Sequence, residues 1–311
     1  MLKLSNRIFS HVILAILVAV ALVLSVGCSA GAKKSANGKP KVLTTFTVIA
    51  DIAQNIAGEH MDVTSITNEG EEIHDYQPTP NDIKKAETAD LILNNGLGLE
   101  RWFERFMENT KAKRVNLSEG VKPIDIAEGD YAGKPNPHAW MSPKNGKIYV
   151  DNIVKAFSEF DPKNADDYKK NGEAYKAKID EIAKGMDAKL ATIPEPSRAL
   201  VTCEGAFSYL ARDHGLKEKY LWAVNAEGAI TPKAKADLET FVKKSGVKAL
   251  FCETTVDDKM AAVSADTKVP VAGLLYVDSL SKKNGPVPTY LDLLKYDADL
   301  ITKGLTGQAK K

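Results

Sequence analysis

Sulfur, histidine and net charge are all scarce in this chain of 311 residues. It holds three cysteines, five histidines and 42 Lys+Arg against 41 Asp+Glu. Three cysteines are too few for a disulfide scaffold. A formal net charge of +1 gives no reason to expect a polyanionic partner, and nucleic-acid binders show a basic excess or patch, so nucleic acid is set aside. A charged fraction of 27% is ordinary and excludes disorder as the default. No H-E-x-x-H metallohydrolase signature occurs. What is present is 44% hydrophobic residues, enough at this length for one large core or two moderate ones, with 14 prolines and 21 glycines to make many turns.

The composition is uneven at the start. Lys3 and Arg7 precede an uncharged run from Val12 to Val26, short for a free-standing membrane span and suited to a signal-peptide apolar region. The run ends in Ser25-Val26-Gly27-Cys28, which resembles the lipobox of bacterial lipoproteins, although Leu24 stands one place early. The resemblance implies a signal peptide over 1–27, removed so that Cys28 becomes the first residue and carries lipid, palmitate included. The other readings are an uncleaved anchor and a plain secretory signal. Residues 28–41 then read as a lipidated N-terminus and a small, polar, flexible tether. Removing 1–27 takes Lys3 and Arg7 and no acid, so the exported body is electrically balanced.

The body alternates apolar runs with amphipathic helical patterns. Strands are expected at Val42–Phe46, Val63–Thr67, Leu91–Asn94, Lys113–Asn116, Ala199–Cys203, Tyr220–Val224, Ala249–Cys252 and Val271–Val277. Val48–Ala57 has apolar residues at helical spacing and stops at Gly58. Thr79-Pro80, Ser142-Pro143, Asp161-Pro162 and Thr231-Pro232 each place a capping oxygen before a proline that loses no hydrogen bond at the first helical position, so helices are expected from each proline. Strands alternating with helices argue for an α/β fold with mostly parallel sheets. The helix from Pro162 stands apart: long, charged, and interrupted only by Gly172 and Gly185. A long polar helix between two β-α halves reads as a connector. The expected division is an N-terminal α/β lobe over 42–160, a connecting helix over 161–193 and a C-terminal α/β lobe over 194–311, against the plainer alternative of a surface helix on one large domain.

Among the histidines, His11 belongs to the signal, and His60 and His214 sit at helix ends, where a surface or dipole role is expected. His74 and His138 differ. Each lies in a turn-rich segment after a strand and before a capped helix, where open α/β sheets gather ligand-binding loops. Glu204 and Asp278 follow strands of the second half and point to the same kind of crevice. Singly, each of the four has an equally good structural role. Together, two imidazoles and two carboxylates suit a divalent cation, and the mixture suits Mn(II) or Fe(II) better than a soft metal.

Five segments carry a wider resemblance: H-D-Y-Q-P-T-P from His74, N-P-H-A-W at 136–140, C-E-G-A-F-S-Y-L at 203–210, Y-L-W-A-V-N-A at 220–226 and L-Y-V-D-S-L-S at 275–281. As a set they resemble the manganese/iron/zinc class of metal-binding lipoprotein receptors of bacterial ABC transporters, across nearly the whole body. The resemblance implies two α/β lobes joined by one long rigid helix and an ion held between them by His74, His138, Glu204 and Asp278. It implies a permease and a lipid bilayer as partners, a monomer anchored on the outer or periplasmic side of the cell membrane, and no catalysis. Zinc-selective relatives carry a third histidine in place of Glu204 and often a histidine-rich loop; here Glu69, Glu71 and Glu72 flank His74 without one. The cargo expected is therefore Mn(II), with Fe(II) next and Zn(II) after it. A metal-dependent hydrolase and an adhesin are the competing functions.

Cys203 and Cys252 end two apolar strands. The favoured reading is two small buried residues; a disulfide, which an exported protein would keep, comes next, and ligation by Cys203 last. Glu253 reads as an acceptor near the site rather than a ligand, and Trp140 and Trp222 as core residues near the lobe interface.

Overall fold

The computed structural model describes residues 38–106, 110–129, 131–224, 230–256 and 259–308. The signal segment, Cys28 and most of the tether lie outside the described residues, as do Asn225 and Ala226 of the Y-L-W-A-V-N-A segment. Among the described residues no helix is long and apolar enough to cross a membrane.

The first half is built on a four-stranded parallel sheet, β1 (Lys41–Thr44), β2 (Asp62–Ser65), β3 (Leu91–Asn94) and β4 (Lys113–Asn116), in the order β2-β1-β3-β4. Helices α1 (Thr47–Ala57), α2 (Pro80–Glu87) and α3 (Arg101–Phe106) make the crossovers. Central β3 is buried along its whole length, as parallel strands covered on both faces are, and edge strand β4 is mostly exposed. The second half holds two parallel pairs, β5 (Ala199–Glu204) with β6 (Lys217–Trp222) and β7 (Leu250–Glu253) with β8 (Val271–Leu275). These two α/β lobes are joined by one long helix. All eight expected strands form, β3 and β4 with the expected bounds and the others with ends shifted by one to three residues; the shift that matters is in β5, which runs on to include Glu204.

Three of the four proline-led helices start where capping chemistry places them. Thr79 accepts from the Asp82 amide, Ser142 from that of Asn145 and Thr231 from that of Ala234, opening α2, α4 (Pro143–Phe160) and α7 (Pro232–Ser245). The fourth differs: Pro162–Asn164 is a single 3-10 turn, and the α-helix α5 runs from Ala165 to Leu190. The Asp161 carboxylate is engaged by the Tyr168 hydroxyl (2.8 Å) and the Asn164 amide (2.6 Å) and caps no backbone N–H. At 26 residues, α5 is about 39 Å long. It buries Tyr168, Gly172, Tyr175, Ile179, Met186 and Leu190 against α4 and the last helix, α9 (Tyr290–Leu305).

The two glycines of α5 do different jobs. A Cβ at Gly172 would stand 2.5 Å from Val154 Cγ2 of α4, so only glycine allows that close crossing. A Cβ at Gly185 would meet nothing within 4 Å.

One core runs through both lobes. Trp140 is fully buried, packs edge-on to Phe46 with centroids 4.9 Å apart, and donates its indole N–H to the Val277 carbonyl (3.1 Å). Tyr290 at the start of α9 donates its amide to Asp51 of α1 (2.9 Å) and its hydroxyl to the Trp140 carbonyl (2.6 Å).

Candidate metal centre

The site lies where the carboxyl ends of the strands in both lobes face each other, the usual ligand position of open parallel sheets. His74 lies nine residues beyond the end of β2, held in its turn by Glu72, whose Oε1 accepts the Ile73 and His74 amides (2.9 and 2.8 Å). His138 leads the 3-10 turn Ala139–Met141, just before the capped start of α4. Glu204 is the last residue of β5 and Asp278 stands three residues past β8. All four are buried: His138 entirely, Asp278 to 1% exposure, His74 to 4% and Glu204 to 6%.

The ligating atoms of His74, His138 and Asp278 converge, and Glu204 approaches them through His74. His74 Nε2 and His138 Nε2 are 3.0 Å apart; Glu204 Oε1 lies 3.7 Å from His74 Nε2, and Asp278 Oδ1 lies 3.9 and 3.7 Å from the two imidazole nitrogens. A cation about 2.1 Å from each of two donors separates them by roughly 3.0 Å at a right angle and about 3.4 Å at the tetrahedral angle. The measured separations sit at or slightly beyond those values. Asp278 Oδ1 is buried with no hydrogen-bond partner among the described residues, an expensive condition for a carboxylate oxygen unless a cation faces it.

The electrostatics agree. Burial, with the neighbouring His74, pushes the His138 pKa well below its ordinary value, which keeps the ring neutral and able to ligate. Burial, then the charges of Glu72, Glu204 and Glu253, pushes the Asp278 carboxyl well above the usual carboxylate range. A divalent ion reverses that repulsion by supplying the missing positive charge.

The neighbouring expectations resolve as follows. Cys203 and Cys252 are not free thiols but a disulfide between β5 and β7, which lie side by side. The pairing removes both sulfurs from ligation. Glu253, the residue after Cys252, is fully buried and accepts the Glu204 amide at 3.3 Å; burial lifts its pKa to about 8. His60 pairs with Asp167 (2.9 Å) and His214 with Asp187 (2.6 Å), both on α5 and away from the site. Trp140 and Trp222 are both buried, and Trp222 pairs in register with Glu204.

Sequence reasoning passed over two groups. The Ser279 hydroxyl, beside Asp278, accepts the Gly70 amide (2.6 Å), and Thr47 Oγ1 of α1 accepts the Leu280 amide (3.0 Å). Together they tie the Asp278 segment to α1 and to the turn leading to His74. The other is Asn136, whose amide contacts both lobes. Its signal was a polar residue between two prolines in a segment that the structure buries.

Residues 42–304 match the family model described as "Zinc-uptake complex component A periplasmic". The chain is 51% identical over 268 residues to the iron-binding protein YfeA of Yersinia pestis, with 86% of each chain covered. It is 37% identical to the manganese ABC transporter substrate-binding lipoprotein PsaA of Streptococcus pneumoniae, covering 91% of this chain and 95% of the relative. Among solved structures it resembles the Mn-bound periplasmic metal binding protein from Candidatus Liberibacter asiaticus, at 39% identity and a TM-score of 0.81, covering 86% of this chain and all of that one.

Proposed function

The chain belongs to the periplasmic zinc-uptake component A family, the metal-binding receptors of bacterial ABC transporters, and on that premise we propose that it captures Mn(II) through His74, His138, Glu204 and Asp278. It is a substrate-binding protein for metal import and not an enzyme, and its cargo is handed to an ABC permease.

The observation that carries the ligand assignment is Asp278 Oδ1: buried, without a hydrogen bond among the described residues, and facing two imidazole nitrogens at 3.7 and 3.9 Å. Two ionised carboxylates balance a dication, and the oxygen–imidazole set favours Mn(II) and Fe(II) over thiophilic ions. The two sequence relatives described above point the same way, one named for iron and the other for manganese. Zinc also binds such donors tightly, because raw affinity rises along the divalent series, so zinc bound in vitro does not identify the cargo.

The finer architecture is part of this reading. Residues 1–27 act as the signal, Cys28 as the lipidated residue, 28–41 as the tether, 42–160 and 194–311 as the two lobes and 161–193 as their connector, in a monomer held outside the cytoplasm at the membrane. Titration of the purified protein with Mn(II) tests the centre. D278A should weaken binding more than 100-fold and H74A at least tenfold, since each removes a direct ligand. Unchanged titration curves for both would overturn the assignment. Metal content of the protein from its own metal-limited cells then decides between Mn(II) and Fe(II).

A further inference from the structure

Asn136 is not among the four donors, yet its amide is the most fully committed polar group around them. It is 2% exposed. Its Oδ1 accepts the backbone N–H of His138 (3.0 Å) and stands 2.9 Å from His138 Nδ1. Its Nδ2 donates to the Gly205 carbonyl (2.7 Å) and lies 3.3 Å from Ser208 Oγ. The two acceptor sites of the oxygen and the two hydrogens of the nitrogen are all used.

The orientation of this amide is forced from both ends. A backbone N–H only donates, so the atom facing His138 N must be the oxygen. A carbonyl only accepts, so the atom facing Gly205 O must be the nitrogen. With an amide oxygen against it, His138 Nδ1 must carry the ring hydrogen, which leaves Nε2 bare and aimed at His74 Nε2 and Asp278.

We propose that Asn136 is the positioning residue of the metal centre: it fixes the Nδ1–H tautomer and the ring plane of His138, and its own orientation is fixed by the opposite lobe through the Gly205 carbonyl beside Glu204. The imidazole of one lobe is thus set by the strand end that carries the carboxylate of the other. Second partners of this kind orient metal-bound histidines, and losing them costs 10–100-fold in affinity. Ser208 extends the same path, donating to Glu218 at 2.6 Å, and Tyr209 holds the Asn136 carbonyl at 2.6 Å, so the residue is braced on both its backbone and its side chain.

The proposal rests on the ligand reading above, and one experiment separates the two. Mn(II) titration is run on the wild-type protein, N136A, N136D and H138A, with side-chain 15N spectra of His138 in the metal-free state. Asp keeps an oxygen for Nδ1 but has no hydrogen for Gly205 O. N136A should lose 10–100-fold in affinity and show mixed His138 tautomers. N136D should keep the Nδ1–H tautomer and recover affinity to within roughly tenfold of wild type. A folded N136A with wild-type affinity, or with an unchanged tautomer, overturns the role, and so does an N136D that loses the Nδ1–H tautomer. Should N136A fail to fold, N136S, too short to reach Nδ1, takes its place with the same expected and overturning results. H138A binding like wild type would instead overturn the ligand reading.

Discussion

The two lobes that meet at the site hold the proposed ligands by different means. The first presents His74 and His138 on irregular segments, nine residues past β2 and at the head of a 3-10 turn, steadied by hydrogen bonds that their N–H groups donate to Glu72 and Asn136. The second presents Glu204 as the last residue of a fully buried strand, and Asp278 three residues past another, with a disulfide crossing directly behind Glu204. The imidazoles sit on turns; the carboxyls sit at or just beyond strand ends. The difference has a physical reason. Burial and the neighbouring acids keep the Asp278 carboxyl protonated in the protein without its ion, and the strand frame holds it close to those acids.

Removing the staple attacks this contrast most directly. The Cys203–Cys252 bridge spans a sequence separation of 49, for which the chain-entropy estimate is about 4 kcal/mol. C203S/C252S should lose roughly 2–4 kcal/mol in urea unfolding and weaken Mn(II) binding, because β5, which carries Glu204, loses its covalent tie to β7. A stable double variant with wild-type affinity would show that the strands alone supply the frame.

Acidity probes each lobe separately. Glu100 in the first lobe accepts the Asn95 and Gly96 amides and the Thr45 hydroxyl, and Glu218 in the second accepts from Phe207 and Ser208. Burial lifts both carboxyls to about 7. Their folded pKa values lie above the unfolded one, so the folded state binds the extra protons. Stability is greatest below about pH 4.5 for these groups and is lost as pH rises to about 7, by up to roughly 3 kcal/mol each. Melting of the metal-free protein across that window should fall more gently in E100Q and in E218Q. An unaltered slope in both would mean that other groups govern it.

The smallest effect sharpens the account of the helix between the lobes. G172A forces a Cβ against Val154 and should cost about 1–3 kcal/mol, whereas G185A meets open space and should gain about 0.5–1 kcal/mol from helix propensity. Equal melting shifts would place the α4–α5 crossing somewhere other than Gly172.

What the sequence made legible follows the range of the interactions. Caps, proline starts and strand runs are local, and Thr79, Ser142 and Thr231 behave as their neighbours dictate. Asp161 departs because its partner Tyr168, seven residues further on, outcompetes the cap. The four proposed donors could be picked out of the sequence because each follows a strand and the strands are parallel. The disulfide was not, because whether β5 and β7 are neighbours is a matter of strand order, which no local pattern carries. Asn136 was hidden inside a quoted motif: its partners Gly205 and Ser208 are some seventy residues away.

Tyr290 adds one more consequence. It opens the last helix of the chain, yet its amide and hydroxyl reach back to Asp51 and to the Trp140 carbonyl, two residues from His138. A chain still emerging from the ribosome has neither Asp278 nor this brace. The donors span 74 to 278, so no partial product holds the full set. A chain cut short of Asp278 therefore lacks one of the proposed donors, and one cut short of Tyr290 also lacks the brace behind Trp140.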